Sequence, residues 1–359
     1  MRMVVVMLLV LLAGCGGPEV GVDAGPGDAS LGELDAGGDA GSVADAGTVV
    51  DAGTVVDAGA LPDAGGGDAG LLTACPTTGS GGIIAPAGCV VFTPAETGAS
   101  AQGENATELH YALEPAGTPR GQLLVFFPAS LATPARQIPD PTQNFYNAAA
   151  QAGFHVLALA YPSRQVLGVT CNNDAPCFAL ARKTIIRGVP EPGVVSSLAT
   201  LREDEGVVWR LDAALRTLAA RRPQHGWGAF LTGGATPEAR LVTTKMVTAG
   251  HSQGGGHAAF FAKLYPVTRV VQLSSTCDVT GSTPAPWTSD GVWSTPPATA
   301  FVGFATANDS ICPGHRAVWA AMGLDASRQF DDAAVCNGAS AHTGSINCPA
   351  NFARWASLF

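Results

Sequence analysis

The chain has 359 residues, 47% hydrophobic and 13% charged, with 45 glycines and a formal net charge of −10, which is ample for one large domain plus a segment that need not pack. The acidity is local: residues 16–72 hold eleven Asp plus Glu and no Lys or Arg, and with Arg2 also set aside, residues 73–359 balance 18 acids against 18 Lys plus Arg. A neutral body carries no basic footprint, so no nucleic-acid partner is expected.

The N-terminus, "MRMVVVMLLVLLAGC", has a cation at Arg2, an apolar run from Val4 to Leu12 and small residues leading to Cys15. The run is too short for a permanent membrane span and has the layout of an export signal over residues 1–14. Leu12-Ala13-Gly14-Cys15 resembles the lipobox of bacterial lipoproteins. The resemblance implies that Cys15 is lipidated, becomes the mature N-terminus and holds the protein to a lipid bilayer of the cell envelope, at the outer membrane or cell surface. The alternative is an ordinary secretory signal with an incidental cysteine. Acyl chains gain about 0.8 kcal/mol per buried CH₂, so several of them tether a protein stably while its body stays in water.

Residues 15–72 then read as a linker. Asp-Ala-Gly recurs at 23, 35, 39, 45, 51, 57, 63 and 68, and residues 16–72 contain no aromatic residue, so the segment cannot bury enough apolar surface to offset the entropy of ordering. A Gly-rich coil of this length reaches about 40 Å. Asp is also a hard oxygen ligand, but the repeat matches neither the nonapeptide nor the twelve-residue loop of calcium-binding modules.

Beyond Cys15, eight cysteines remain: Cys75, Cys89, Cys171, Cys177, Cys277, Cys312, Cys336 and Cys348. An even number in an exported chain, without paired C-x-x-C spacing, favours disulfides over a metal site. Proximity in sequence suggests the pairs 75–89, 171–177, 277–312 and 336–348, although spacing alone leaves the connectivity open.

Along residues 73–359, β-rich and helical segments alternate, the pattern of an α/β fold with a mostly parallel central sheet flanked by helices. Strands are expected at 89–93, 108–114, 121–127, 154–160, 243–249, 268–274 and 299–305. Helices are expected at 142–152, 202–221, 254–264, 314–322 and 350–358. Within 202–221, Val207, Val208, Leu211, Leu215 and Leu218 form one apolar face at helical spacing. The connections 161–200 and 276–298 are rich in Pro, Gly, Ser or Thr and read as insertions over the active-site end of the sheet. Trp287 and Trp293 in the second either line an apolar acyl pocket or anchor the loop.

One junction carries chemistry. "KMVTAG" reads as a buried strand and "HAAFFAKL" as a helix, and Gly250-His251-Ser252-Gln253-Gly254 between them fits G-x-S-x-G. In that motif a side chain at either glycine collides with the neighbouring strand or helix, and the tight turn thrusts the serine Oγ outward. The helix N-terminus aims its amides at charge developing beside the serine. In this context residues 85–359 resemble the α/β-hydrolase superfamily, specifically its secreted serine esterases and lipases. The resemblance implies a triad in the order Ser, acid, His, because a serine hydroxyl needs a base held in one tautomer by a carboxylate.

"ATAFVGFATAND" is an apolar strand ending at Asp309, where the family places its acid; Asp278, ending "RVVQLSSTCD", is the alternative. The downstream histidines are His257, His315 and His342. His257 lies inside the helix after the elbow and His315 near another helix start, which suits packing or surface positions. His342 falls in the small-residue loop "GASAHTGSINC" before the last helix, where the family keeps its base. His251 is expected to shape the pocket. The oxyanion donors implied are the Gln253 amide and one from the loop after "GQLLVFFP", at Ala129 or Ser130, where many relatives have His-Gly. The expected activity is ester hydrolysis through an acyl-enzyme, with no metal or organic cofactor. The alternatives are a non-catalytic member of the fold that binds a ligand, and acyl transfer or peptide hydrolysis by the same triad.

Overall fold

The structure, a computed structural model, describes residues 72–76, 88–98, 103–137, 143–336 and 340–359. All belong to one compact unit, Gly65–Phe359. The expected signal peptide, Cys15 and nearly all of the Asp-Ala-Gly linker lie outside the described residues.

The chain begins with two short strands, β1 (Thr73–Ala74) and β2 (Val90–Phe92), followed by β3 (His110–Leu113), β4 (Leu123–Phe127), α1 (Phe145–Gln151) and β5 (His155–Ala158). A helical stretch follows: α2 (Leu167–Thr170), α3 (Ala175–Arg187), α4 (Val207–Arg221) and α5 (Pro237–Arg240). Next come β6 (Met246–His251), α6 (Gln253–Leu264), β7 (Arg269–Leu273) and a small hairpin, β8 (Val279–Thr280) with β9 (Thr283–Pro284). The remainder is α7 (Pro297–Ala300), β10 (Phe301–Phe304), α8 (His315–Met322), β11 (Gln329–Phe330), α9 (Ala341–Asn347) and α10 (Phe352–Leu358).

Nine strands form one sheet in the order β1-β2-β3-β5-β4-β6-β7-β10-β11. The β1–β2, β2–β3 and β3–β5 pairs are antiparallel, and every pair from β5 to β11 is parallel. Helices cover both faces, so interior strands must be apolar on both sides. In β4, Leu123, Val125 and Phe127 join the core that contains α3, α4, α6 and α8, whereas Leu124 and Phe126 join the opposite core with α1 and α10. Successive strand side chains alternate faces. Each fully buried one contributes about 1.5–3 kcal/mol.

The seven expected strands are present as the cores of their segments, and β1, β8, β9 and β11 are additions of two residues each. Residues 243–245 form a 3₁₀ turn, so β6 starts at Met246. Residues 203–205 likewise form a separate 3₁₀ turn, and Gly206 N-caps α4. A Cβ at Gly206 would strike the backbone of Arg187 and Gly188, so the chain there is packed tightly against the end of α3.

Two expectations need correction. Segment 161–200 is not only loop: α3 buries Phe178, Ala181, Ile185 and Ile186 as a full layer of the core. Segment 276–298 does not remain over one end of the sheet. Trp287 packs on Phe260 of α6, with ring centroids 5.0 Å apart. Trp293 packs on Phe301 at the start of β10, 5.3 Å apart, and under the Lys263 ammonium. Thr295 bonds to Ala262 and Val267. The segment therefore descends along α6, and both tryptophans anchor it there.

Candidate active site

The strand β6 is buried at every position and delivers the chain to Ser252, with α6 beginning at the next residue. Ser252 has φ 55° and ψ −126°, a conformation that costs an L-residue about 1–3 kcal/mol and persists only when its surroundings over-determine it. Its N–H donates to Leu273 O of β7 at 2.9 Å. A Cβ at Gly250 would collide with the backbone of Gly254, and one at Gly254 with the carbonyl oxygens of Phe127 and Pro128. Each glycine of the elbow is thus a point of close backbone approach.

His342 is the second residue of α9, not part of a loop. The correction has a local cause: the Ser340 hydroxyl accepts the Thr343 N–H, and Thr343 Oγ1 accepts the Ser340 N–H, a reciprocal cap that starts a helix in a run of small residues. His342 Nδ1–H donates to Asp309 Oδ2 at 2.8 Å, leaving Nε2 as the remaining basic nitrogen. Asp309 follows β10 and is buried. Its Oδ1 accepts the N–H groups of Ile311 and Cys312, both at 3.0 Å. Burial alone raises its carboxyl pKa; the His342 bond and the two amides outweigh that and hold it below the usual value.

His251 links the elbow to this pair. Its ring centroid is 4.8 Å from that of His342, and its Nε2–H donates to His342 O at 3.0 Å. Burial, with the His342 imidazole beside it, pushes His251 down to about 3, so it is a neutral donor. The structure thus brings the Asp309–His342 pair against the residue preceding Ser252. Among the described residues, Ser252 Oγ makes no hydrogen bond to His342; such bonds are often long without substrate and tighten on binding.

Asp278 has a different partner. Arg182 of α3 donates to both its oxygens, from Nε at 2.6 Å and Nη2 at 2.5 Å, and Trp287 Nε1 adds a bond at 2.9 Å. The remaining guanidinium nitrogen, Arg182 Nη1, donates to Gln253 O at 3.0 Å. Arg182 and Asp278 are both buried, so the carboxylate is fully engaged and reaches no histidine. Nothing in the sequence assigned Arg182 a role. A signal was present in the run Gly254-Gly255-Gly256: a Cβ at 255 would strike Ser275 and one at 256 the Arg182 guanidinium, so the run marks where other groups press on α6.

The other two base candidates are packing residues. His257 is fully buried in α6 with its ring 5.3 Å from Tyr161, and burial holds it well below its ordinary pKa. His315 is buried and bonds through Nδ1 to Cys312 O at 2.7 Å, bracing the loop that carries Asp309.

The expected oxyanion donors lie where β4 meets α6. Phe127 and Pro128 abut Gly254, so Ala129 and Ser130 follow directly at the elbow. The loop is pinned by Ala132 N–H to Ala129 O at 3.1 Å, Leu131 N–H to Ser163 O at 2.9 Å and Tyr161 OH to Pro128 O at 2.7 Å. Among the described residues, the N–H groups of Ala129, Ser130 and Gln253 donate to no protein acceptor.

The cysteines pair as 75–89, 171–177, 277–312 and 336–348. Two of these serve the site: 277–312 joins the loop after β7 to the loop of Asp309, and 336–348 brackets α9. Among the described residues no group of three or more His, Cys, Asp or Glu is arranged to hold a metal, and no helix is long and apolar enough to cross a membrane. No family model matches the chain, and no curated protein matches it.

Proposed function

We propose that the chain is an exported serine hydrolase of the α/β-hydrolase fold that cleaves carboxylic esters. The observation that carries this reading is Ser252, at φ 55° between β6 and α6, with a buried His342–Asp309 pair packed on the preceding residue, His251. The sheet supports it as well: strand order reverses around β4 and β6, and in open α/β sheets ligands bind at the carboxyl ends of strands at such a switch point.

The chemistry follows from the contacts. Asp309 holds His342 in the tautomer with Nδ1 protonated, so Nε2 accepts the Ser252 proton as Oγ attacks the ester carbonyl. The oxyanion is received by the Gln253 N–H and by that of Ala129 or Ser130, at the positive end of α6. The alcohol leaves with the proton from His342, and water then releases the acid by the same steps in reverse. His251 positions His342 through its carbonyl and takes no proton itself.

Four disulfides support an oxidising compartment. We place the protein at the cell envelope, tethered through a lipidated Cys15 and the linker that follows. The test of the activity is Ser252→Ala. This variant keeps the fold and loses both ester hydrolysis and labelling by a fluorophosphonate; hydrolysis at the wild-type rate by the folded variant refutes the reading.

A further inference from the structure

Arg182 is buried against the elbow and takes no part in the triad. Each nitrogen of its guanidinium is spent: Nε and Nη2 on the two oxygens of Asp278, and Nη1 on Gln253 O. Trp287 fixes the plane further, its ring 5.8 Å from Arg182 Cζ and its Nε1–H also donating to Asp278. A Cβ at Gly256 would strike the guanidinium, so Arg182 lies directly on the first turn of α6. A buried ion pair is a weak source of stability, since apolar residues of similar volume often replace one without loss. What a guanidinium adds over an apolar side chain is a rigid set of directed donors.

Those donors converge on the start of α6. The first N–H groups of a helix have no intrahelical acceptor, so the Gln253 N–H is aimed by whatever holds the backbone around it. Within the turn, Ser252 O accepts the Gly255 N–H at 3.1 Å. On the strand side the Ser252 N–H is bonded to Leu273 O at 2.9 Å, and on the helix side Gln253 O accepts Arg182 Nη1 at 3.0 Å. The Gln253 side chain is held from the same quarter: its Oε1 accepts the N–H of Leu167, the first residue of α2, at 2.8 Å. The 171–177 disulfide joins the end of α2 to α3, which carries Arg182. One cross-linked segment thus grips both the main chain and the side chain of residue 253.

We propose that Arg182 is a positioning residue of the Ser252 site, holding the peptide after Gln253 so that the Gln253 N–H points where the oxyanion forms; this rests on the ester-hydrolase reading above. Asp278 and Trp287 hold Arg182 in turn. Arg182 touches no reacting atom. Its loss lets the start of α6 relax, and a donor displaced by about 1 Å where charge develops costs rate rather than substrate affinity.

The experiment uses the full-length protein with two sets of substitutions. Arg182→Met combined with Asp278→Asn removes both charges and keeps an acceptor for Trp287, so the stability lost in Asp278→Asn alone should be regained in urea unfolding. Arg182→Lys keeps a counter-charge for Asp278 but replaces the fork by a single ammonium. Each is expected to lower kcat for p-nitrophenyl acetate about 10- to 100-fold, with KM within about twofold of wild type. Hydrogen exchange at the amides of residues 253–257 is expected to quicken. A purely structural pair requires instead that kcat return with stability. Wild-type kcat in either folded variant overturns the proposal, as does wild-type exchange at the elbow in the double variant. If the wild-type protein hydrolyses no ester while these amides still loosen, the hydrolase reading falls and the pinning of the elbow by Arg182 stands.

Discussion

Asp278 and Asp309 each follow one of two neighbouring parallel strands, β7 and β10, and their partners distinguish them. Asp309 is bonded to His342, so Asp309→Asn presents the wrong hydrogen-bonding face to the imidazole and should lower kcat by about 10⁴-fold with little loss of stability. Asp278 neutralises a buried Arg182, so Asp278→Asn leaves a guanidinium without its counter-charge and should cost about 3–5 kcal/mol in stability. Steady-state kinetics and urea unfolding of both variants check this; the reverse pattern of effects reverses the assignment. The sequence could nominate both carboxylates, because each follows an apolar strand downstream of the serine. It ranked Asp309 first only through the family resemblance, since the residues themselves do not show that Asp278 is held by an arginine some hundred residues upstream, on a helix whose surroundings look like loop. The elbow was legible because its constraint is local: the glycines at 250 and 254 are required by atoms a few residues away or on the adjoining strand.

Long, periodic elements were legible for the same reason, and short ones were not. The apolar face of α4 spans about three turns and announces itself, whereas α9 has seven residues, mostly small or polar, and exists through its cap and its tertiary contacts. An isolated helix of that length is unstable in water. Asn351 holds it from outside, donating to Gly344 O at 2.8 Å and bonding both the N–H and the C=O of Ala334; Trp355 Nε1 donates to Ser345 O at 2.8 Å. The 336–348 disulfide closes twelve residues of chain around it. Removing the bridge with Cys336→Ala and Cys348→Ala should destabilise the protein by up to about 3 kcal/mol. Because the imidazole is carried on this element, it should also lower kcat more than it raises KM, a 1 Å displacement being worth about 10²-fold. Stability measured beside kinetics decides the matter: an unchanged kcat in the folded double variant shows that the hydrogen bonds alone position His342.

At the scale of the molecule, neutral histidines sealed in the core set an acid limit. Burial, with Arg210 nearby, pushes His110 down to about 3; burial, with the His342 ring nearby, does the same to His251, and His257 lies well below its ordinary value. Their folded pKa values are depressed below the unfolded 6.5, so the stability they contribute is complete above pH 6.5 and lost as pH falls from there toward 3. Each histidine steepens the loss by up to about 1.4 kcal/mol per pH unit within that window. Asp309, depressed from 3.8, adds a loss of the same sign at lower pH. Urea midpoints should therefore be flat from pH 8 to 7 and drop steeply from 6 to 4; a midpoint that holds steady to pH 4 contradicts neutral burial. The alternation of β-rich and helical segments foretold the mostly parallel α/β body flanked by helices, but not which of seven histidines lie inside it, because a histidine reads the same in a buried helix and on a surface.

The 75–89 disulfide also has a mechanical meaning. Were the chain anchored as proposed, a pull on its tether would enter at β1, a strand of two residues paired with β2 at Thr73–Val91 and Ala74–Val90. Just behind that strand, Cys75 is bonded to Cys89, the residue before β2, so tension crosses directly onto the sheet and bypasses the fourteen-residue separation between them. With the bridge intact, β1 can peel away without lengthening the leash by more than a few residues. Reduced, the same pull draws out a further span of about 45–50 Å of extended chain before β2 resists.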